Sequence, residues 1–492
     1  MEKLTEQERV RRDKLTYLKD KGINPFGQKF ERTSNAKEIQ EKFANVSGED
    51  LENQKNEVVV AGRIKAKRRQ GKIGFIDVQD KFGNVQVYIS KEIIGEENYD
   101  TFIKSDIGDI VGISGYVFRT KTEALTVKCE KFTHLVKALR PLPEKFHGLQ
   151  DVEEARRRRY LDLIMNDDAR KVAFMRPRII RAIQKYFDED GFVEVETPVL
   201  TPILGGAAAR PFVTHYNALD MPYYLRIATE LNLKRLLVGG MEGVYEIGRI
   251  FRNEGIDSTH NPEFTTIEAY KAYSDYEGMM DLVEKLFQKV AMEVCGTLDL
   301  PKGDKIIHLG NFRRLNMVDA IKEACGVDFW QQMSFEDACS LAKEHGIKIE
   351  PHFTGVGHII NEFFEKYCEE MLIQPTIVYG HPIEISPLAK KNEKDPRFTD
   401  RFELFIDGKE YCNAFSELND PIDQLERFEE QLKERNLGND EANDIDMDFV
   451  EALQYGMPPA GGIGIGIDRL VMLLTNSDSI RDVLLFPQMK TR

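Results

Sequence analysis

The amino-acid sequence predicts an α+β protein in which a small N-terminal β-barrel precedes a larger domain of helices and antiparallel strands. Three observations predict this fold class. The chain has 492 residues, and at ~150 residues per domain this length suggests about three structural parts. Short β-branched and aromatic runs crowd into residues 57–132, and after residue 166 amphipathic helices alternate with strands. Hydrophobic residues at 41% and charged residues at 31% are typical of a globular protein.

These pattern changes predict four successive regions. Residues 1–55 form a helical extension, because residues 2–21 read as a charged helix that ends at Gly22. Residues 56–140 form the barrel, and a linker rich in proline and charge covers residues 141–165. The catalytic domain spans residues 166–492, with a mostly helical insertion at about residues 276–368.

The barrel prediction depends on five strand-like runs, which are EVVVAGRI, GFIDVQD, NVQVYI, IVGISGYVF and ALTVKCEKF. Glycine, asparagine and aspartate separate them at short intervals, as in a small barrel of the OB type. Basic residues are expected in the first connection: Lys65, Lys67, Arg68 and Arg69. Such barrels bind single-stranded nucleic acid by stacking bases on strand aromatics. Phe75, Tyr88 and Phe118 are candidates for this role, although for any one aromatic residue a place in the core is the favoured interpretation.

The formal net charge of −15 argues at first against a nucleic-acid partner, but the charge is unevenly distributed. Residues 1–150 carry 28 basic and 23 acidic side chains, which gives +5, and the remaining residues carry −20. The asymmetry favours a basic recognition module joined to an acidic body, with chance clustering as the alternative. Arg156 to Arg159 are either a solvated helix face or a contact to a phosphate backbone.

Composition also limits the location and the chemistry. No apolar run is long enough to cross a membrane and the N-terminal segment is charged, so we expect no membrane association and a cytoplasmic protein. The six cysteines are scattered without metal-ligand spacing, which predicts reduced thiols and no zinc site.

Two segments carry the pattern of an active site. In the first, Gly461 to Gly466 have glycine on alternate residues before Asp468 and Arg469. Period-2 glycine removes the side chains from one face of a strand, so that a flat group can lie on the backbone. Close packing of the strand on a helix is the structural alternative.

The second segment reads as strand, loop and strand over residues 243–270. Alternation places Arg252 and Glu254 on one face, and Phe264, Glu268 and Tyr270 on one face of the returning strand. A structural ion-pair network is the alternative explanation. A third segment, residues 186–198, reads as a helix that ends at Gly191 and turns into a strand, which suggests scaffold or a subunit interface.

A hairpin over residues 401–416 supplies two further carboxylates. Asp407-Gly408 is a two-residue turn signal between alternating strands. Such a turn places Glu403 and Glu410 on one face, close enough to share a divalent cation. Mg²⁺ prefers one or two carboxylates together with substrate phosphates, so this pair suits a metal bound to ATP.

In chain order, the segments at residues 186–198, 243–270 and 461–469 resemble the three motifs of class II aminoacyl-tRNA synthetases. The resemblance is carried by F-R-N-E at residues 251–254 and by G-x-G-x-G-x-D-R at residues 462–469. With the barrel, the chain looks like the branch specific for lysine, aspartate or asparagine. NAFSELND at residues 413–420, RIATELNLKR at 226–235 and HGLQD at 147–151 closely resemble the lysine-specific members. The resemblance covers nearly the whole chain. It implies a six-stranded antiparallel sheet flanked by helices and a homodimer formed through residues 191–198.

The resemblance further implies lysine–tRNA ligase chemistry, with ATP as substrate, Mg²⁺ as cofactor, and L-lysine and tRNA(Lys) as partners. Arg252 and Arg469 would be catalytic. The implied ATP-binding set is Arg252, Glu254, His260, Asn261, Phe264, Glu410 and Arg469. The implied lysine-binding set is Glu230, Arg252, Glu268, Tyr270, Asn413, Phe415 and Glu417, and the implied metal ligands are Glu403 and Glu410. Aspartyl or asparaginyl specificity and a non-catalytic tRNA-binding relative are the alternatives.

Two details test this assignment. Strict alternation puts Glu410 and Asn413 on opposite faces of their strand, so the implied roles require a β-bulge between them. The resemblance also implies anticodon contacts at Arg68, Phe75, Gln86 and Glu123. Family members more often read G-E-L where this chain reads E-A-L at residues 123–125. Glu123 therefore either takes the role from a shifted position or is merely solvated.

Overall fold

The computed structural model describes residues 4–27, 29–143, 151–439 and 445–490. The chain divides into two compact units, Met1–Gln150 and Asp151–Arg492. The elements of the first unit are α1 (Glu6–Asp20), α2 (Ala36–Phe43), α3 (Gly48–Gln54), β1 (Glu57–Gln70), β2 (Ile73–Gln79), β3 (Asn84–Ser90), α4 (Lys91–Lys104), β4 (Ile110–Arg119) and β5 (Leu125–Val136).

The five strands of the first unit form a closed barrel in the order β1-β2-β3-β5-β4. Strand β1 pairs with both β2 and β4, and β3 runs parallel to β5. A bulge at Lys65 lets the long strand β1 bend between its two partners. Alternate residues of every strand fill one apolar core, which includes Ile64, Val87 and Val127. The barrel of the OB type is confirmed, with strands close to the five predicted runs.

The basic run lies on a strand rather than in the first connection, because β1 continues to Gln70 and the turn to β2 follows it. Lys67 donates from Nζ to the carbonyl oxygens of Phe102, Ile103 and Ser105 at 2.6–3.0 Å. Burial lowers the pKa of Lys67 to about 8. Lys67 therefore caps the end of α4 instead of presenting charge to a ligand.

The second unit is larger, and its helices are combined with three sheets of eight, three and two strands. Its helices are α5 (Val152–Arg157), α6 (Arg159–Met165), α7 (Asp167–Glu189), α8 (Glu230–Val238), α9 (Tyr276–Cys295), α10 (Met317–Cys325), α11 (Phe335–Glu344), α12 (Val356–Tyr367), α13 (Pro421–Asn436), α14 (Met447–Gln454), α15 (Ile467–Thr475) and α16 (Ile480–Val483), with a 3₁₀ turn at Glu369–Met371. Its strands are β6 (Val193–Glu194), β7 (Leu200–Thr201), β8 (Val213–Tyr216), β9 (Met221–Leu225), β10 (Gly243–Phe251), β11 (Glu263–Ala272), β12 (Asp299–Lys302), β13 (Lys305–His308), β14 (Arg313–Asn316), β15 (Thr376–Tyr379), β16 (Arg401–Ile406), β17 (Lys409–Ser416) and β18 (Ala460–Gly466).

The main sheet has eight strands in the order β14-β15-β16-β17-β18-β11-β10-β6. Its six central strands are antiparallel, and the short edge strands β14 and β6 pair in parallel. The predicted antiparallel six-stranded sheet is thus confirmed, with one added strand at each edge. Helices α7, α9 and α15 pack on one face through an apolar cluster that includes Ile183, Leu286 and Val471.

The segment expected to be a helical insertion is partly integral to this sheet. Helix α9 contributes to the main core, and β14 is an edge strand of the sheet. The remaining helices α10, α11 and α12 pack around a second apolar cluster that includes Ile321, Ala338 and Phe363. This cluster lies against β15 and β16 through Val378 and Phe405.

The second unit begins at Asp151, so the end of the expected linker folds as helices α5 and α6. The basic run Arg156 to Arg159 is engaged within the unit. Arg156 binds Asp482 at 2.8 Å, and Arg159 binds Asp162 at 2.6 Å and the carbonyl oxygen of Arg481 at 2.6 Å. Arg157 and Arg158 pair with glutamates one turn earlier. Each guanidinium thus has an intramolecular carboxylate partner, which favours the helix face over the phosphate contact, and the phosphate contact stays a prediction.

The helix and strand predicted around Gly191 are α7 and β6. Helix α7 ends one residue before Asp190, and Gly191 has a φ of +82°, which glycine adopts without strain. Among the described residues, no helix is long and apolar enough to cross a membrane. All six cysteines are free.

Candidate active site

A cavity of about 440 Å³ opens on the face of the main sheet opposite α7 and α9. Strands β11, β17 and β18 provide its floor, and α8 and the loop after β10 form its walls. The structure brings together every site residue that the sequence predicted in this unit. The lining includes Glu230, Arg252, Glu254, His260, Asn261, Phe264, Glu268, Tyr270, Glu403, Glu410, Asn413, Phe415, Glu417 and Arg469.

The alternate glycines of β18 make room for the cavity walls. A Cβ at Gly462 would overlap the carboxylate of Glu417 and the ring of Tyr270. A Cβ at Gly464 would meet nothing closer than Glu268 Cγ at 3.7 Å. Gly462 therefore permits a close approach of side chains, whereas Gly464 leaves open floor in the cavity. Gly462 lies beside Glu417 and Tyr270, whereas the space above Gly464 is open.

The β-bulge that the assignment required is present. Glu403 pairs with Asn413 and Leu404 with Cys412, but the next residue, Phe405, pairs with Glu410. Tyr411 is the extra residue and turns into the core. The bulge restores Glu410 to the same face as Asn413, so that both side chains line the cavity.

One end of the cavity is a buried cluster of carboxylates. Glu230, Glu268 and Glu417 are each less than 10% exposed. Glu268 accepts hydrogen bonds from the Thr229 backbone N–H and from the Tyr270 hydroxyl, both at 3.1 Å. Burial and then repulsion from Glu230 raise the pKa of Glu268 to about 7. Burial also raises the pKa of Glu417, against the attraction of Lys234.

Lys234 is a buried cation that pairs with two of these carboxylates. Its side chain is fully buried, Nζ donates to Glu230 Oε1 at 2.6 Å, and it forms an ion pair with Glu417 Oε2. Although burial alone would lower it, Glu230 and Glu417 hold the pKa of Lys234 above its ordinary value. With all groups ionised, three carboxylates and one ammonium leave a net charge of −2. Glu417 Oε1 is buried without a hydrogen-bond partner among the described residues, so this end can receive further ammonium donors.

The other end of the cavity is more open and carries guanidinium groups. The Arg252 guanidinium lies 5.3 Å from the Phe264 ring centroid, and its buried Nε has no hydrogen-bond partner among the described residues. Arg469 donates from Nη1 to the Glu410 carbonyl oxygen at 2.5 Å and approaches Glu410 Oε2 at 3.4 Å. Glu254 is exposed at the rim. This end suits phosphate groups and a planar ring.

His260 is fixed at this open end by two neighbours. Its Nδ1 lies 2.7 Å from Asp257 Oδ2, and its Nε2 accepts from Arg469 Nη2 at 3.4 Å. Although the partial burial of Asp257 would raise it, hydrogen bonds from His260 and Thr259 hold the pKa of that carboxyl well below its usual range. Asn261 is buried and donates to the Glu263 carbonyl oxygen at 2.6 Å.

The two candidate metal ligands lie between these ends on neighbouring strands. Glu403 accepts from Arg401 Nη2 at 2.6 Å, and Arg401 Nε also donates to Asn413 Oδ1 at 2.9 Å. Burial, with repulsion from Glu365 and then from the two strand carboxylates, raises the pKa of Glu369 to about 7. The repulsion, which is secondary to burial, comes from closely spaced carboxylates whose negative charge a dication would offset. No described group of three or more His, Cys, Asp or Glu residues is arranged for a metal, so substrate oxygens would complete the coordination.

Sequence reasoning missed three residues that organise the site. Lys234 lies within a segment that carried the resemblance, and its second partner, Glu417, is distant in sequence. Arg401 lies in the hairpin and bonds to Glu403 and Asn413. Asp468 is buried and accepts from the Thr265 backbone N–H at 2.7 Å and from Arg176 at 2.5 Å. The available signal for Lys234 was its i, i+4 spacing from Glu230, which places both side chains on one helix face.

The barrel unit carries the candidate anticodon residues on its surface. Arg68 pairs with Phe75, and Phe75 in turn pairs with Tyr88. The rings of Phe75, Tyr88 and Phe118 form an edge-to-face row, with centroids 5.3 and 5.8 Å apart. All three rings are half-buried and outside the apolar core. The row is therefore a surface platform and not core packing.

Two further residues flank this aromatic row. Gln86 lies two residues before Tyr88 on β3 and accepts from the Thr126 hydroxyl at 2.9 Å. Glu123 is exposed in the β4–β5 turn with a φ of +61°. That backbone conformation favours glycine, so Glu123 adopts it at some cost in backbone strain. Arg68 and Phe75 are paired across β1 and β2, Gln86 lies on β3 with Tyr88, and Glu123 lies in the β4–β5 turn.

Comparison with known families gives two matches that divide the chain. Residues 151–490 match the family described as tRNA synthetases class II (D, K and N). Residues 58–135 match the family described as OB-fold nucleic acid binding domain. Together the matches include the cavity, the glycine strand and the aromatic row.

Several curated proteins are similar to the chain over its full length. A protein of Lactococcus lactis subsp. cremoris (strain MG1363) is 60% identical over 491 residues, covering 100% of this chain and 99% of the relative. A protein of Bacillus subtilis (strain 168) is 58% identical over 492 residues, covering 100% and 98%. A protein of Listeria monocytogenes serovar 1/2a is 60% identical over 492 residues, covering 100% and 99%. Each of these relatives is named lysine–tRNA ligase.

Proposed function

The chain belongs to the class II tRNA synthetases of the D, K and N group, and we propose that it is a lysine–tRNA ligase. The reaction joins L-lysine to the 3′ end of tRNA(Lys) and converts ATP to AMP and diphosphate. The observation that carries this proposal is the buried cluster of Glu230, Glu268 and Glu417 at one end of the cavity. The names of the full-length relatives support the same substrate.

The cluster selects for a cationic amino acid. With all its groups ionised, its net charge of −2 matches the two ammonium groups of lysine, and Glu417 Oε1 has no hydrogen-bond partner among the described residues. We assign Glu417 and Tyr270 to the ε-ammonium and Glu230 to the α-ammonium, with Glu268 supporting both and Phe415 packing on the aliphatic chain. Aspartate or asparagine would add a carboxylate or an amide to a site that already has excess negative charge, which makes them poor substrates.

In the first step, a carboxylate oxygen of lysine attacks the α-phosphorus of ATP. The new oxygen–phosphorus bond gives lysyl-adenylate, and the bond to the bridging oxygen breaks to release diphosphate. Asn413 and Arg252 hold the carboxylate, while Arg252 and Arg469, with His260, hold the phosphates. Phe264 stacks on the adenine, and Glu254 at the rim accepts from its amino group, next to Asn261. Positioning and charge stabilisation supply the catalysis, because no protein nucleophile is required.

In the second step, a terminal ribose hydroxyl of tRNA attacks the acyl carbon of the adenylate. The ester bond forms, the acyl–phosphate bond breaks, AMP leaves with the electron pair, and the hydroxyl proton passes to the leaving phosphate. Arg252 neutralises the charge that returns to the phosphate. Glu403 and Glu410 are the residues that would hold Mg²⁺, which, when bound, offsets the charge of the ATP phosphates.

The barrel would read the anticodon through its aromatic row. Unstacked anticodon bases pack on Phe75 and its neighbouring rings, and Arg68 and Gln86 contact base edges or phosphates. Glu123 is a weaker candidate because it lies in the turn beyond the row. Since Arg156 to Arg159 are paired internally, we assign the electrostatic grip on tRNA to the basic barrel unit.

We also propose a homodimer in the cytoplasm, where the proposed substrates occur. Apolar side chains on β6 to β9 and the adjoining loops remain exposed in the single chain: Val193, Val199, Leu200, Ile203, Val213, Tyr216, Leu219 and Met221. An exposed apolar surface of this extent is typical of a subunit interface. It adjoins Gly191, where the sequence predicted the dimer contact. Light scattering should give twice the chain mass, and a monomer would refute this assignment.

The deciding experiment is ATP–diphosphate exchange measured with each of the twenty amino acids. Lysine should give the fastest exchange, and aspartate and asparagine should give none above background. Equal or faster exchange with aspartate or asparagine would overturn the lysine assignment. Absence of exchange with every amino acid would favour the non-catalytic alternative, which the intact set of arginines and carboxylates opposes.

The tRNA assignment needs a separate measurement on the full chain. Phe75→Ala should weaken binding of a tRNA(Lys) anticodon stem-loop by about 1–3 kcal/mol, the order of one lost base stack. Phe82→Ala is the matched control, because that exposed ring lies outside the row. Binding by the unmodified protein should weaken steeply with salt. Equal effects of both substitutions would contradict the aromatic platform.

A further inference from the structure

We propose that Lys234 is a positioning residue, which fixes Glu230 and Glu417 in the ionised geometry that receives lysine and thereby sets the charge of the pocket. This inference rests on the proposed function and adds a residue to it. The ammonium lies behind the two carboxylates, where it is fully buried.

The geometry ties all three pocket carboxylates to helix α8. Glu230 begins the helix, and Lys234 follows one turn later on the same face. Glu268 accepts from the Thr229 backbone N–H at the helix start. Glu417 comes from the end of β17 and reaches the helix through Lys234. A single ammonium therefore connects two elements that must both face the ligand.

The charge balance explains why an internal cation is needed. Three carboxylates this close together cannot all stay ionised in a buried site without a counterion. Lys234 lowers the charge to −2, which two ammonium groups of a ligand neutralise. The Tyr270 hydroxyl and the Phe415 and Phe449 rings also face the cluster, and the two rings lie 5.3 and 6.0 Å from Nζ. The charged groups Arg252 and Arg401 line the same cavity, and Arg401 is bonded to Glu403 and Asn413.

The contacts of Lys234 leave at least one oxygen of Glu417 available to accept a hydrogen bond from a ligand. It occupies Glu417 Oε2 and Glu230 Oε1, and Glu417 Oε1 has no hydrogen-bond partner among the described residues. A Cβ on Gly462 would overlap this same oxygen. The free oxygen therefore lies beside the glycine strand at the cavity floor, where an incoming ammonium can reach it.

Without the ammonium, a proton must take its place. In Lys234→Met, which keeps the length and removes the charge, we expect one of the carboxylates to be protonated at neutral pH. Lysine must then expel that proton before it binds. The variant should therefore bind lysine roughly 100-fold more weakly at pH 7, which is the order expected when a buried ion pair loses one partner, and it should recover affinity as the pH rises.

The test measures lysine binding and proton release with the full-length protein. Titration calorimetry in two buffers of different ionisation enthalpy gives the number of protons released when lysine binds. Lys234→Met should release about one proton more per lysine than the unmodified protein at pH 7. Lys234→Arg retains the charge and should restore the proton count, whatever its effect on affinity. The KM for ATP should change less than threefold in either variant.

Lys302→Met is the matched control. Lys302 is a buried lysine that bonds to the Ser477 carbonyl oxygen at 2.7 Å and to Asp478 at 3.1 Å, outside the cavity. It should leave the KM for lysine and the proton count unchanged. If the two methionine variants lose stability equally and neither changes proton release, Lys234 has only a structural role and the proposal is wrong.

Folding of the variant is itself informative. In acid, protonation of a carboxylate can replace the ammonium. The loss of stability of Lys234→Met relative to the unmodified protein should therefore be smaller at pH 6 than at pH 8. Lys234→Met could instead fail to fold at every pH, and Lys234→Arg then becomes the deciding variant. If Lys234→Arg folds normally but releases one proton more per lysine than the unmodified protein, the proposal is also overturned. Failure of the unmodified protein to exchange with lysine would instead refute the function on which the proposal depends.

Discussion

The two ends of the cavity achieve recognition by opposite physical means. The carboxylate end is buried, and its groups are bonded to one another through Lys234, Thr229 and Tyr270 before any ligand arrives. The guanidinium end is open, and buried Arg252 Nε has no hydrogen-bond partner among the described residues. Burial makes each charge at the first end costly to change, whereas solvent screens changes at the second. We therefore expect substitutions at the carboxylate end to change mainly the KM for lysine, and substitutions at the guanidinium end to change mainly the KM for ATP.

The largest effect should come from the carboxylate end. Glu417→Gln removes a charge that Lys234 and the ligand share, so lysine-dependent kcat/KM should fall about 1000-fold, or about 4 kcal/mol. The KM for ATP should change little. Glu284→Gln, which affects a surface ion pair with Arg314, is the control and should be neutral. A similar loss of ATP and lysine affinity would show that the two ends are not independent.

At the guanidinium end, Arg469→Ala should lower kcat about 100-fold and raise the KM for ATP, because a phosphate contact that stabilises the transition state is lost. The KM for lysine should stay within threefold. Arg397→Ala removes an arginine that pairs with Asp395 away from the cavity and should leave both constants unchanged. A large rise in the KM for lysine would contradict the separation of the ends.

The glycine strand offers a sharper comparison within one element. Gly462→Ala places a methyl group against Glu417 and Tyr270, so the KM for lysine should rise about 30-fold, or about 2 kcal/mol of overpacking. In Gly464→Ala the nearest atom is 3.7 Å away, and the KM for lysine should remain nearly unchanged. Steady-state exchange kinetics on both variants measures the difference. Equal effects would remove the distinction between the two halves of β18.

The smallest effect is a difference in pH dependence. Burial raises the pKa of Glu268 to about 7, so the free pocket holds protons in acid that lysine must displace. The KM for lysine should therefore fall roughly tenfold as the pH rises from 6 to 8.5, while the KM for ATP varies less. A flat lysine profile would show that the pocket is already ionised at pH 6.

The same titration affects stability, with the opposite sign for the ligand-free protein. A carboxyl whose folded-state pKa lies above its unfolded value binds its proton more tightly when folded. The contribution of Glu268 to the free energy of unfolding therefore decreases as the pH rises from about 4.5 to about 7. Bound lysine replaces the proton with an ammonium group. The gain in Tm on adding saturating lysine should accordingly increase with pH, which thermal unfolding with and without lysine measures.

Much of the fold could be predicted from the sequence because it is encoded locally. Alternation predicted the barrel strands to within a few residues, and turn residues predicted the hairpin that carries Glu403 and Glu410. The conflict between Glu410 and Asn413 even predicted the bulge that the structure places at Tyr411. The segment HGLQD also carried the resemblance, but its residues 147–150 lie outside the residues that the structure describes.

Charge runs were harder to interpret because their meaning depends on distant partners. Arg156 to Arg159 read as a patch for phosphate, but Asp482 and the carbonyl oxygens near Arg481 belong to the far end of the chain. Lys67 read as part of a basic loop, and it caps α4 instead. The local sequence shows which residues are charged, but it does not show which acceptor each charged group contacts in the folded protein.

The sequence, through its resemblance to class II synthetases, indicated most of the residues that line the cavity. Only the tertiary structure decided how the cavity is charged. Lys234 meets Glu417 across two elements that are far apart in the chain, and burial makes that contact decisive by removing the water that would otherwise screen it. Residue types follow from sequence, whereas ionisation follows from which groups become neighbours in a site without water.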